Sequence, residues 1–296
     1  MYRSSTRNSD QVNGVMLRIA AAGLIVAMSA CVKVAAQQVE LSQVIFWRSL
    51  LSLIPIVLYL VIRSDFPKGI KTKHPMAHLK RSVLGFVTMV CSFVSFKYLP
   101  LATATAISFL VPLASLPLAA MILGERITRL LLVSVLVGLA GIFIMLLPDL
   151  TAPELSTNVL IGMAGGLGFV VSMSFLRVFI KSMTETESAS SIAFYFGVTC
   201  AAIAALAWPF GWTMPDADIW VYLVAAGILG GIGHIAATEA IAMAPVSLLG
   251  PFEYTGLLWA MVLDIALFGL FPNVLATTGA VVIIIGALLA TRVRVS

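Results

Sequence analysis

Among the ionisable residues inside otherwise apolar stretches, five stand out: Arg48, His234, Glu239, Glu253 and Asp264. An ionised side chain at the centre of a membrane helix costs about 2.5–3.5 kcal/mol on insertion scales, so each of these needs a partner or a wet cavity. Glu239 and Glu253 flank the turn at Pro245 at similar depth. If they face each other, the like charges raise one pKa and make a proton site. The alternative is that Arg18, Arg177 or Lys181, at the same level of other stretches, neutralises them structurally. His234 is placed to hydrogen-bond a solute or shuttle a proton, or else to satisfy itself on a backbone carbonyl. Asp264 shares the opposite end with Lys97, Lys33 and, deeper, Arg48, a set that reads as an ion-pair latch with gating as its other use.

Aromatic residues near mid-depth complete the candidate site. Phe109 and Tyr254 occupy matching positions of an internal repeat described below, Ser108 adjoins Phe109, and Trp259 lies slightly beyond the middle of its own stretch. With few polar groups around them, such rings suit a small amphipathic solute, although each ring read singly is also an ordinary core or lipid-facing aromatic. Arg48 is the only arginine deep in a stretch on this reading, which argues against phosphate cargo. Pro112, Pro117 and Pro251 remove backbone donors within helices, making either hinges or packing kinks.

The elements that position these residues are membrane spans. Hydrophobic residues make up 60% of the 296, charged residues only 10%, and the mean hydropathy is +1.07. Soluble domains carry about a quarter charged residues. Taking about 20 apolar residues per crossing, ten spans result: 14–36, 41–62, 81–98, 101–123, 129–147, 158–180, 188–208, 219–243, 246–268 and 273–290. Pro100, Pro148, Pro209, Pro245 and Pro272 punctuate the joins. In the eighth span, Gly227, Gly230, Gly231, His234 and Thr238 share one helical face, which a neighbouring helix or a cavity must approach. Cys31, Cys91 and Cys200 lie in apolar runs and form neither a disulfide framework nor a metal set. No cofactor is implied.

The stretch from Arg81 to Gly124 recurs 145 positions later. Tyr98-Leu99-Pro100-Leu101-Ala102 aligns with Met243-Ala244-Pro245-Val246-Ser247, Gly85 with Gly230, and Gly124 with Gly269. Five spans per copy force the second copy to start from the opposite side, the arrangement of secondary transporters whose site lies between the repeats. The units are 1–147, an external linker 148–157, and 158–296. A net charge of +5 and a pI near 9.3 do not indicate nucleic acid, because the basic residues concentrate on one side of the ten-span arrangement. They are Arg3, Arg7, Arg63, Lys68, Lys71, Lys73, Lys80, Arg81, Arg126, Arg129, Arg177, Lys181, Arg292 and Arg294, and they predict that both termini are cytoplasmic.

Ser108-Phe109-Leu110-Val111-Pro112, continuing to Gly124-Glu125-Arg126, resembles the fourth-helix signature of the drug/metabolite transporter superfamily, EamA type. Pro251-Phe252-Glu253-Tyr254-Thr255 with Phe268-Gly269 resembles the family's ninth helix, and Phe46-Trp47-Arg48 the start of its second. The resemblance implies an all-α membrane protein of ten transmembrane helices, two inverted five-helix repeats around a central cavity. Its length and its Pro-Phe-Glu-Tyr-Thr stretch look most like the YddG-type aromatic amino-acid exporters. Two departures stand out. Leu270 replaces the acid that often follows Phe-Gly, and the first span offers only Arg18 and Lys33 where the small multidrug members carry a coupling glutamate.

The expectation is therefore a transporter, not an enzyme. It exports amino acids, including aromatic ones, across a bacterial inner membrane by alternating access, and it is functional as a monomer with the lipid bilayer as its environment. A broad drug or sugar-derivative carrier and a non-transporting receptor or scaffold are the alternatives. The topology is open to direct test in a background lacking the three native cysteines. Cysteines placed at Thr151 and Asp216 should label from outside intact cells and one at Lys71 should not, and the reverse pattern would invert the orientation.

Overall fold

The computed structural model describes residues 2–99, 104, 107–108, 110–124, 127–150, 157–268, 271 and 273–291. The described residues form eleven α-helical segments and no strand: α1 Tyr2–Ala35, α2 Leu41–Ile62, α3 Pro75–Tyr98, α4 Leu110–Leu123, α5 Arg129–Leu150, α6 Thr157–Met183, α7 Ala189–Ala205, α8 Ala217–Met243, α9 Val246–Glu253, α10 Thr255–Phe268 and α11 Val274–Thr291. Five of them, α1, α2, α3, α6 and α8, are long and apolar enough to cross a membrane by length and composition. Large apolar side chains also cover the outside of the bundle, among them Ile54, Leu58, Val171, Val221 and Val262, each more than half exposed. A surface of that kind needs lipid, not water, against it.

The ninth expected span is two helices. Tyr254 interrupts it as a turn, three residues after Pro251, which has no backbone N–H to give the preceding turn. The helix restarts on a tighter bond from Leu257 N–H to the Tyr254 carbonyl, 3.1 Å.

Two other helix ends share one device. α3 ends before Pro100 and α8 before Pro245, and the last residues, Leu99 and Ala244, are both extended. In each case the terminal carbonyls would be left without partners. Lys33 of α1 donates to the carbonyls of Phe96 and Leu99 at 3.3 and 2.7 Å. Lys181 of α6 donates to those of Ile241 and Ala244 at 2.8 and 3.3 Å. A cation suits the negative end of a helix dipole as well as its free carbonyls.

Packing crosses between the chain's halves. α1 lies along α8, α3 along α6, α2 against α7 and α8, and α5 against α11. Glycines permit the closest of these approaches. A Cβ at Gly231 would sit 2.5 Å from Pro55 Cγ and 2.6 Å from the Ser52 carbonyl oxygen, so a larger residue there would push α8 off α2. The α8 stripe thus divides by depth, with Gly227 and Gly231 packing on α2 while His234 and Thr238 face a cavity.

Each end of the bundle is tied by its own cluster. Where α2 and α8 begin, Trp47, Trp208, Trp212 and Trp220 associate with one another and with Phe46, and Trp212 Nε1 donates to Ser42 Oγ at 2.9 Å. Indoles in such a position match a membrane-interface belt. At the other end Glu187, in the turn between α6 and α7, accepts from Thr72 Oγ1 at 2.7 Å and Ser191 Oγ at 3.3 Å, with His78 Nε2 also 3.3 Å away. Burial opposes ionisation of Glu187, but these donors outweigh it and hold its carboxyl below the ordinary value of 4.5. A depressed folded pKa gives stability that is present above the unfolded value and lost as pH falls through the folded one. Glu187→Gln should therefore lower stability by about 1–3 kcal/mol at neutral pH. Melting curves of the two proteins in detergent should converge as pH falls below that range, and parallel curves would show that Glu187 contributes no ionic stabilisation.

Candidate solute cavity

Between these helices lies a cavity of about 200 Å³, walled by α1, α2 and α3 on one side and by α6, α7 and α8 on the other, with Glu253 and Gly256 at the α9–α10 break. Its size suits a small metabolite. Four arginines, Arg18, Arg48, Arg81 and Arg177, line it, and Glu253 is the one carboxylate among the described lining residues. The aromatic surface comes from Phe93, Phe96, Phe169 and Phe196.

Glu253 holds two of the arginines. Its Oε1 is 2.5 Å from Arg18 Nη2, and its Oε2 pairs with Arg177 Nη2. The acid ends α9 at the turn on Tyr254, so the two guanidiniums meet a carboxylate and a helix C-terminus together. One negative charge between two positive ones leaves an excess, and Arg18 Nε and Arg177 Nη1 have no hydrogen-bond partner among the described atoms.

Arg48 and Arg81 lie apart from that triad, each only 2% exposed. Arg48 directs Nε and Nη2 at Met28 Sδ, 3.4 and 3.3 Å away, and Nη1 at Met89 Sδ at 3.4 Å. Thioether sulfur is a weak acceptor. Arg81 stacks its guanidinium 3.9 Å from the centre of the Phe196 ring, while Nε and Nη1 lack partners. Arg48 lies 6.0 Å from the same ring, and His234 meets it edge-on at 5.2 Å.

Several expected positions are corrected. Glu239 and Glu253 do not face each other, because Glu239 accepts from Tyr59 Oη at 3.1 Å on α2 whereas Glu253 turns to α1 and α6. Tyr254 is fully buried away from the cavity, its ring filling the space beside Gly138 and its hydroxyl donating to the Val135 carbonyl at 3.3 Å. Trp259 packs on α1 at Gly23 and is 42% exposed on the outer side. Lys97 lies 5.9 Å from the Tyr98 ring and Lys33 donates to backbone carbonyls, while Arg48 faces the sulfurs of Met28 and Met89.

Arg48, His234, Ser108 and Glu253 do line the cavity. Phe109 lies outside the described residues, as do the side chains of Pro112, Pro251 and Asp264. The objection to anionic cargo also falls, because Arg18, Arg81 and Arg177 line the cavity together with Arg48. Pro75 at the start of α3 was the available signal. A proline preceded by a helix-disfavouring position marks a first turn, and it puts Arg81 well inside the helix.

A helical bundle with an apolar exterior and a cavity lined by arginines at its centre has the architecture expected of a membrane carrier of small molecules. The sequence profile of the EamA-like transporter family matches residues 12–147 and again 160–292, and the chain belongs to that family, within the drug/metabolite transporter superfamily. It is therefore a small-molecule transporter, of a class that is not enzymatic. Among its relatives is the pseudopaline exporter CntI of Pseudomonas aeruginosa, 24% identical over 95% of this chain and 97% of the exporter. The S-adenosylmethionine uptake transporter of Rickettsia bellii is 28% identical over 81% of this chain and 78% of its own. An uncharacterised transporter of Helicobacter pylori strain J99 is 26% identical over 88% and 89%. A solved crystal structure superposes with a TM-score of 0.75 at 21% identity, covering 96% of both chains, and shares the fold.

Glu253→Gln tests the triad. It leaves two buried guanidiniums facing a neutral amide, and the loss should be about 3–5 kcal/mol. Thermal melting of the purified variant should fall clearly below wild type, and an unchanged melting temperature would show that Arg18 and Arg177 are neutralised by something else.

Proposed function

We propose that the protein is an alternating-access exporter of small metabolites, amino acids including aromatic ones, in a bacterial inner membrane. On this reading it has ten spans, both termini are cytoplasmic, and the repeats 1–147 and 158–296 are inverted about the cavity, joined by 148–157. A single chain suffices, since the cavity walls come from its own two halves. That cavity is the observation that carries the proposal. Guanidiniums suit an amino acid's carboxylate, while Phe93, Phe96, Phe169 and Phe196 offer apolar and ring surface to its side chain. The four phenylalanines take the place first given to Tyr254 and Trp259, and they keep the YddG-type preference for aromatic cargo in play.

The lysine caps support the inverted-repeat reading. Phe96 and Leu99 are the partners of Ile241 and Ala244 under the same 145-residue shift, and each pair receives a lysine from the first helix of its own half. The direction of transport rests on less, because one relative named above is an exporter and another an uptake transporter.

Counterflow in proteoliposomes tests the whole reading. Vesicles preloaded with unlabelled phenylalanine should accumulate labelled phenylalanine, with smaller effects for alanine, and absence of counterflow across a panel of amino acids would refute amino-acid cargo. Coupling is separable. If Glu239 or Glu253 carries a proton, its change to Gln should abolish flux driven by a pH gradient and spare exchange. Loss of both fluxes together with stability marks the residue as structural.

A further inference from the structure

We infer that Arg48 and Arg81, both close to the Phe196 ring, form an oxyanion subsite, and that the cargo best held by this cavity bears net negative charge on an apolar body. The inference rests on reading the cavity as the solute site. Both side chains are 2% exposed and line the cavity, yet among the described residues neither has an oxygen acceptor or a carboxylate. What surrounds them is soft: two methionine sulfurs at 3.3–3.4 Å from Arg48, and a phenyl face 3.9 Å from Arg81. Sulfur and a ring face keep a guanidinium in place without using up its capacity for a planar oxyanion.

The space for these heads is built into the backbone. A Cβ at Gly230 would lie 3.0 Å from both Arg48 Nε and Nη2. One at Gly85 would lie 2.7 Å from Phe196 Cε2 and 3.3 Å from Arg81 Nη1. Gly85 and Gly230 are partners in the internal repeat, so each copy clears room for one side of the same feature. Glu253 cannot serve as their counter-ion because both its oxygens are engaged by Arg18 and Arg177. A zwitterion adds no net charge, whereas a dicarboxylate or a phosphate monoester would supply what the cavity lacks.

Four probes with one aromatic body separate the possibilities: benzylsuccinate, phenyl phosphate, phenylalanine and phenethylamine. Calorimetric titration of the purified full chain in detergent should rank either anion at least about ten-fold tighter than phenylalanine, with phenethylamine weakest. The order of the two anions then tells carboxylate from phosphate. Arg48→Gln and Arg81→Gln should each weaken the preferred anion about ten-fold and phenylalanine much less. Should the glutamine variants fail to fold, Arg48→Lys and Arg81→Lys keep the charge and lose the planar fork, and should weaken the anion without reversing the order. Phenylalanine or phenethylamine binding as tightly as the anions to wild type, or an anion affinity indifferent to the substitutions, overturns the inference. Counterflow of the same probes separates it from the transport proposal. Exchange of phenylalanine with no preference for anions sinks the subsite alone, and anion binding without counterflow of any probe sinks the transport reading alone.

Discussion

A charge in a low-dielectric interior must be paired, solvated or expelled, and most of this molecule's central architecture follows from that constraint. Four arginines inside the helices cannot all be matched by Glu253. The bundle answers in two ways. It divides one carboxylate between Arg18 and Arg177 at the end of α9, and it surrounds Arg48 and Arg81 with polarizable groups next to open volume. A fold selected for stability alone would replace such residues with apolar ones of similar volume, often at no loss. These four stand not in the lipid-facing surface but beside the cavity, where open volume leaves room for a compensating group.

The same constraint acts on the backbone. Helices that stop inside or near the membrane leave carbonyls without partners, and in lipid water is not there to take them. Lys33 and Lys181 supply donors at two such ends, and in doing so they fasten α1 to α3 and α6 to α8. If the halves are inverted repeats, these fasteners lie at opposite faces of the membrane. A motion that opens one face then has to strain or release one fastener while leaving the other, and that is a physical basis for two states.

Much of the helical framework was legible in the sequence. Proline positions and apolar run lengths locate both ends of α2 and α8 and the C-terminal end of α3 to within a few residues, while α3 starts at Pro75, ahead of the expected 81. The glycine stripe of α8 marks a close approach that the structure places on α2. The rotation of each helix about its axis was not legible. A helix apolar on every face carries no amphipathic mark of which side is inside. Tyr254 and Trp259 therefore read as cavity residues although one fills a gap at Gly138 and the other faces outward past Gly23. Arg81 failed for a different reason. Its charge looks like a loop residue under the positive-inside rule, which counts charge near span ends and cannot see a side chain turned inward beside Gly85.

The break at Tyr254 links the charged site to movement. α9 and α10 meet at a turn on Tyr254, three residues beyond Pro251, and Glu253, the last residue of α9, is bound to α1 and α6. Any reorientation of α9 against α10 must carry that carboxylate relative to Arg18 and Arg177, and any solute that draws either guanidinium away loosens the junction. The junction of α9 and α10 is thus held by the same carboxylate that neutralises Arg18 and Arg177, so the charge balance of the cavity and the geometry of the break are one problem.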